Sequence, residues 1–407
     1  MKICYFGALC SKSTFNEIVL KAKSKPHAAG QQFERMLVEG LKSYGDITVE
    51  INTFLPVPAF SIGFPLGWWR RTEQINGHLA CKWLPALNVQ GVKQVCFCVF
   101  AFTTLLSWVY RTIRQPRVIL LYTAYFPVAL PAVLVARICR IPIVLIETDL
   151  AEYIQVYSPR SRLKSIFVPL YVRLTRLIRE QFNAYVFVAE AMNKVLNIRH
   201  KTYIVVEGMV DVNAHRPHSR GEQGDGPMVA MYAGALFRIY GVDKLIQSFM
   251  TLRDENIRLW LFGSGDMEDA ITDYCKRDKR IIYFGHKTHE DVLVSEAQAT
   301  ILVNPRPSSE EFTKYSFPSK NMEYMASGTP VLTTPLPGMP KEYYDYVYIF
   351  EDESIKGMAK TLEHVLSLPK EELHAKGAAA KEFVLREKNN VVQAKRIIEM
   401  IREVVRK

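Results

Sequence analysis

The sequence predicts two tandem α/β units, each a parallel β-sheet covered by helices on both faces. Three observations point there. Short runs rich in Val, Ile and Tyr alternate with longer stretches of helical periodicity, the rhythm of βαβ units. That rhythm stops at a polar, Gly/Pro-rich stretch, His215–Pro227, and restarts at Met228. The 407 residues, 49% of them hydrophobic, suffice for two cores and exclude a disordered or low-complexity chain.

The first unit, residues 1–206, has expected strands at Lys2–Phe6, Thr48–Phe54, Val118–Tyr122, Ile143–Glu147, Ala184–Ala189 and Tyr203–Val206. Met1–Gly7 is too short for the apolar region of a signal peptide and reads as the first strand. Val95–Tyr110 has no charge between Lys93 and Arg111. It falls short of the roughly 20 apolar residues of a span and contains Thr103, Thr104 and Ser107, so a buried or membrane-grazing helix is expected. A linker is expected over 207–227. The second unit, 228–380, has strands at Met228–Ala233, Arg258–Phe262, Ile281–Phe284, Thr300–Val303 and Pro330–Thr334. The tail, 381–407, spaces Phe383, Val391, Ile397, Ile398, Ile401 and Val405 as a long amphipathic helix does.

Charge is divided unevenly. Of the net +11, residues 1–205 carry +14 (25 basic, 11 acidic) and residues 206–407 carry −3 (27 basic, 30 acidic). One half therefore suits an anionic partner surface. Within it, Pro169–Phe182 puts Leu170, Leu174, Leu177 and Ile178 on one stripe with Arg173, Arg176 and Arg179 off it. Such a segment lies on an anionic membrane or packs on a core with a solvated basic face. The Trp68-Trp69-Arg70-Arg71 cluster adds to the same half. No helix-turn-helix, zinc or RNP-type pattern supports nucleic acid as the partner. Seven cysteines without C-x-x-C spacing argue against a disulfide framework or zinc site and for a reducing, cytosolic compartment.

The chemistry concentrates in three loops at successive strand ends of the second unit. Asn304–Pro330 reads as a loop and a short helix starting near Pro318, with Gly328 as its C-terminal cap. The amides of that first turn suit phosphate oxygens, and Ser319 and Lys320 add a hydroxyl and a charge. Glu323 shares a face with Lys320 and suits sugar hydroxyls, or the two form an ordinary surface pair. Gly234 permits close approach after the first strand, and Arg238 is a candidate phosphate clamp. Gly263-Ser264-Gly265 makes a small-residue turn, weak evidence taken alone. In the first unit Glu147 and Asp149 end a strand on the side of an expected cleft. Asp149 reads as catalytic or as a helix N-cap. Gly30 reads as an approach point for a phosphate or as a turn.

These residues resemble the retaining GT-B glycosyltransferases of family 4, in particular bacterial members that build capsule and exopolysaccharide. The likeness rests on Tyr-Ala-Gly-x-Leu at 232–236, Tyr-Gly-Val-Asp-x-Leu-Ile at 240–246, Phe-Gly-Ser-Gly at 262–265 and the run Asn304–Pro330, and more weakly on Gln31–Leu41 and 148–153. It implies two Rossmann-like domains facing each other across a cleft, with a C-terminal helix crossing back to the first domain. The second domain would hold a nucleotide-sugar donor at Gly234, Arg238, Gly263, Ser264, Gly265, Arg306, Tyr315, Ser316, Phe317, Pro318, Ser319, Lys320 and Glu323, and the first an acceptor near Gly30, Glu147 and Asp149. The reaction implied is sugar transfer from a nucleoside-diphosphate sugar to a polyprenyl-diphosphate-linked glycan with retention of configuration. Asp149, Arg238 and Lys320 are its candidate catalytic groups.

The sequence departs from the family at two places. The family has two glutamates separated by seven residues; Glu323 matches the second, but Tyr315 stands at the first, and Glu310 or Glu311 is left as a substitute. Tyr240 replaces the lysine that precedes the glycine of the Lys-Gly-Val motif. No Asp-x-Asp motif occurs, so neither a metal nor a cofactor is expected. The expected location is the cytoplasm, at the inner face of the cell membrane. A sugar-nucleotide epimerase or hydrolase of the same fold, or a non-catalytic scaffold, are the rival readings.

Overall fold

The computed structural model describes residues 1–22, 28–55, 57–60, 64–65, 67–75, 79–148, 150, 162–196, 198, 200–213 and 226–406. The chain forms two compact units, Met1–Glu207 with Asn390–Lys407, and Gly208–Asn389.

In chain order the first unit comprises β1 (Lys2–Gly7), α1 (Lys12–Lys21), α2 (Ala28–Lys42), β2 (Thr48–Thr53), β3 (Trp68–Trp69), β4 (Thr72–Gln74), β5 (Ala80–Trp83), β6 (Ala86–Leu87), α3 (Val92–Arg111), β7 (Arg117–Tyr122), α4 (Phe126–Ile138), β8 (Ile143–Glu147), α5 (Arg162–Arg179), β9 (Ala184–Phe187), α6 (Ala191–Leu196) and β10 (Thr202–Val205). Its sheet runs β10-β9-β8-β7-β1-β2-β5-β4, parallel except for β4. β3 and β6 pair separately as a short antiparallel ribbon. Ile3, Cys4, Tyr5 and Phe6 are all fully buried, because both faces of β1 are covered and a central strand then reads as an unbroken apolar run. Among the described residues α3 is the one helix long and apolar enough to cross a membrane. In this fold it packs on α4 through a buried face of Phe97, Ala101, Leu105 and Trp108.

The second unit comprises β11 (Met228–Ala233), α7 (Val242–Met250), β12 (Ile257–Phe262), α8 (Glu268–Arg277), β13 (Ile281–Gly285), α9 (His289–Gln298), β14 (Ile301–Asn304), α10 (Ser319–Ser327), β15 (Val331–Thr333), β16 (Tyr348–Ile349), α11 (Ile355–Leu366) and α12 (Lys370–Glu387). Its sheet, β13-β12-β11-β14-β15-β16, is parallel throughout. Alternate residues of β11 supply two cores: Ala230 and Tyr232 join Leu245, Phe249 and Leu362, while Val229, Met231 and Ala233 join Met325, Tyr343 and Val384.

The expected single tail helix from Lys381 is two helices. α12 belongs to the second unit, and α13 (Asn390–Arg406) returns to the first, where it packs on α2. The break falls at Lys388–Asn389, where the Val210 amide donates to the Lys388 carbonyl (3.0 Å) and Asn389 Nδ2 donates to the Leu385 carbonyl (2.7 Å). Asparagine side chains compete for backbone groups in this way, which is why helices stop at them. Most of the expected linker, 214–225, lies outside the described residues.

Candidate functional site

Counted in order of appearance, the second unit's strands lie as 3-2-1-4-5-6, and the chain leaves β11 and β14 in opposite directions. Open parallel sheets take ligands at the carboxyl ends of such a strand pair. The loops after β11, β12 and β14 are built there. The first two are zipped by backbone bonds, Gly234 N to Phe262 O (3.0 Å), Leu236 N to Ser264 O (2.9 Å) and Met267 N to Leu236 O (3.1 Å). Gly263 has φ +130°, and a Cβ there would lie 1.8 Å from the Gly234 carbonyl oxygen. Gly241 has φ +77°, and its Cβ would lie 2.1 Å from the Pro305 oxygen. Only glycine satisfies both conditions. The Gly263-Ser264-Gly265 turn thus has a packing role that explains its residues before any ligand is considered.

The position where the family lysine is missing is filled differently. Tyr240 stands under the Arg306 guanidinium, 4.6 Å from ring centroid to Cζ, and Phe312 lies 5.5 Å away on the same cation. Arg306 Nε is buried and has no hydrogen-bond partner among the described residues. The two rings therefore fix a cation whose donor is still unsatisfied, in a loop at the end of β14. Arg238 is exposed and bound to Asp243 (Nη1–Oδ2 2.5 Å), while its amide donates to Asp266 Oδ1 (3.0 Å).

α10 begins at Ser319 with Pro318 as N-cap, and no side chain caps its first amides. Gly328 ends it in the left-handed conformation. The helix is fastened at two points. Tyr324 Oη donates to the Ala233 carbonyl (3.0 Å) and accepts from the Ala233 amide (2.8 Å), tying α10 to the end of β11. Asn304 Nδ2 donates to Asn321 Oδ1 (2.6 Å), tying the end of β14, and hence the Arg306 loop, to the first turn of α10. Lys320 Nζ reaches Glu323 Oε1 at 3.0 Å, and His289 Nδ1 on α9 stands 3.7 Å from the same oxygen.

Glu296, also on α9, is fully buried, with both carboxylate oxygens lacking a hydrogen-bond partner among the described residues. Burial pushes its carboxyl up to about 8, the Glu323 charge adds to this, and Lys320 opposes it. Burial alone pulls Lys320 down, but Glu323 and Glu296 outweigh it and the ammonium is held above its ordinary range. At neutral pH Glu296 is therefore mostly protonated, and Lys320 keeps its charge with Glu323 as its ion-pair partner. His289 and Glu296 were not expected from the sequence. Their seven-residue spacing, which puts two polar groups on one helix face beside Val292, was the available signal.

Tyr315 Oη donates to Glu311 Oε1 (3.0 Å), and Lys314 pairs with the same carboxylate (2.7 Å), which holds Glu311 below the usual carboxylate range. Ser316 Oγ donates to the Phe312 carbonyl (3.1 Å), and buried Phe317 packs on Tyr343 (5.0 Å). Of the two candidate glutamates, Glu310 is thus the one whose carboxylate is not engaged by Lys314 and Tyr315.

In the first unit Glu147 is buried and paired with buried Arg179 (2.9 Å), so it fastens α5 to β8, and Arg179 is not part of a solvated basic face. Gly30 lies inside the first turn of α2 rather than before it, facing Tyr122 Oη. Asp149 lies outside the described residues, as do 151–161. A carboxylate that sequence reasoning missed, Glu34, is buried beside the end of β1, where it accepts from Tyr5 Oη (2.7 Å) and the Ala8 amide (2.9 Å). Among the described residues no group of three or more His, Cys, Asp or Glu is placed to hold a metal ion.

Residues 217–383, within the second unit, match the family described as "Glycosyl transferases group 1". Among curated proteins nothing matches the chain. Of solved structures, the chain is similar to the catalytic domain of starch synthase IV from Arabidopsis thaliana bound to ADP and acarbose (TM-score 0.68, 12% identity, 100% of each chain covered). It is also similar to sucrose-phosphate synthase from Thermosynechococcus elongatus (0.66, 14%, 99% of each). A third is Anabaena Alr3699/HepE in complex with UDP (0.65, 13%, 99% of this chain and 100% of that one). The fold is accordingly the GT-B fold expected from the sequence, with its two Rossmann-like units.

Proposed function

We propose that this chain, whose residues 217–383 match the group 1 glycosyl transferases, transfers a sugar from a nucleoside diphosphate to a lipid-linked glycan with retention of configuration. The observation that carries the donor reading is the uncapped first turn of α10 bearing the Lys320–Glu323 pair, tied by Asn304 to the loop that holds Arg306. A diphosphate placed there meets amides, an ammonium and a guanidinium with an unsatisfied donor. Starch synthase IV is bound to ADP and HepE is in complex with UDP in their solved structures, which supports a nucleotide as the ligand of this fold.

In the reaction the bond from the anomeric carbon to the diphosphate oxygen breaks and a bond from the acceptor hydroxyl forms on the same face. The hydroxyl proton passes to the leaving phosphate. The negative charge that develops there is met by Arg306 and Lys320, with Arg238 available once it leaves Asp243, so no metal is required. Glu323 receives ribose hydroxyls and Glu310 those of the donor sugar. The acceptor reading draws on the +14 charge of the first half and on the family likeness. It places the enzyme at the inner face of the cell membrane and in cell-surface polysaccharide synthesis.

A thermal-shift screen against UDP-, GDP- and ADP-sugars, followed by turnover of the responding donor, tests this. Lys320→Ala should cut kcat about 10²- to 10³-fold, and Glu310→Gln should impair donor use more than Glu311→Gln. If no nucleotide raises the melting temperature, the donor site is wrong.

A further inference from the structure

One layer of the first unit carries apolar side chains that the described residues leave exposed. α3 buries one face, yet Val95, Val99, Phe102, Leu106 and Tyr110 form a stripe on the other, with Val95 64% and Tyr110 82% exposed. α4, packed beside α3, exposes Leu134 and Ile138; α5, packed beside α4, exposes Leu170, Leu174 and Leu177. Soluble monomers rarely leave this many large apolar side chains exposed on three neighbouring helices without a partner.

The other flank of α3 is polar and lines a cavity of about 620 Å³. Thr103, Thr104, Ser107 and Arg111 face it, across from Arg70, Arg71 and Lys82. Its four cations are set against one carboxylate, Glu50, which binds Lys82 (3.2 Å) and Arg111 (3.1 Å). Arg71 is held over Trp83 and by Glu73, whereas Arg70 has no partner among the described residues. A cavity with excess positive charge therefore adjoins an apolar stripe on a single helix.

We propose that the α3–α4–α5 face docks on an anionic phospholipid bilayer, with the stripe in the acyl boundary and the cavity around a headgroup phosphate. Charge complementarity selects this occupant: an apolar protein partner leaves the cationic cavity unanswered, and a second copy of the chain presents the same positive charge to it. The inference rests on the lipid-linked acceptor reading above and deepens it by naming the surface that brings the enzyme to that acceptor.

The test is cosedimentation of the full chain with vesicles of phosphatidylcholine alone and of phosphatidylcholine with phosphatidylglycerol, at low and high salt. The wild type should bind the anionic vesicles preferentially and release them as salt rises. V99E/L106E, both at exposed positions, should lose binding about tenfold or more. Arg70→Gln should lose about fivefold on anionic vesicles and nothing on neutral ones. Equal binding of wild type and both variants, no preference for anionic vesicles, or a wild-type dimer dispersed by V99E/L106E overturns the proposal. A UDP-induced melting shift, read on the same samples, shows that the variants are folded. Its absence in a wild type that still binds vesicles removes the donor reading and leaves the docking surface standing.

Discussion

Tyr240 shows how a substitution at a single residue is legible in sequence and yet misread. Against the family pattern it is a missing cation; in the structure it is half of the ring pair that fixes one, Arg306. Stacking of this kind needs a planar guanidinium, which an ammonium does not reproduce. Arg306→Lys should therefore weaken nucleotide binding about tenfold while leaving the melting temperature of the free protein nearly unchanged, as read by calorimetric titration with UDP. A variant that binds UDP as the wild type does would show that the stacked cation is not a ligand group. Arg179 is the reverse case. Helical spacing placed it off an apolar stripe, whereas in the fold it is buried with the tertiary partner Glu147, 32 residues earlier.

At the scale of elements, α10 matters through its fastening. Its N-terminal amides point usefully only while Tyr324 clamps the helix to Ala233 by two hydrogen bonds. Tyr324→Phe should destabilise the second unit by about 1–3 kcal/mol, since it leaves a buried amide and carbonyl without that hydroxyl. It should also raise KM for the donor, and a stability loss without a change in KM would mean that the helix position does not depend on this clamp. The long strands and α10 itself were readable because apolar runs, Pro318 and Gly328 are local signals. The β3–β6 ribbon and β16 were not, because two-residue strands carry no periodicity and exist only through their partners. The tail was read as one helix because the apolar spacing continues through Asn389, where side-chain bonding to the backbone prevails over pattern.

For the whole molecule, each unit hides, among the described residues, one carboxyl group whose proton is held to about pH 8, Glu34 in the first and Glu296 in the second, both mainly through burial. The unfolded chain releases those protons near 4.5. The native state therefore binds more protons than the unfolded one between these values, and this contribution to stability is full below about 4.5 and lost as pH rises through about 8. Each group tilts the profile by at most about 1.4 kcal/mol per pH unit. Glu296→Gln keeps the volume and should flatten the decline in urea-melt stability between pH 6 and 8, while an unchanged slope would show that Glu296 is ionised in the fold. The charge division of the sequence was readable from composition alone, but neither buried glutamate was, because burial of a carboxylate is a property of packing.

The return of α13 to the first unit has a consequence for synthesis. The second unit is one uninterrupted stretch, Gly208–Asn389, whereas the first lacks a packed helix until Asn390–Arg406 leave the ribosome. Ile397, Ile398 and Ile401 are all but fully buried in it, so their seats stay wet until then. The later-made unit can thus be finished before the earlier one, which waits as a partly open sheet for its last helix. A chain ending at Asn389 should show this directly under limited proteolysis, with the first unit cut and the second spared; equal resistance of both would mean that the first unit closes without α13.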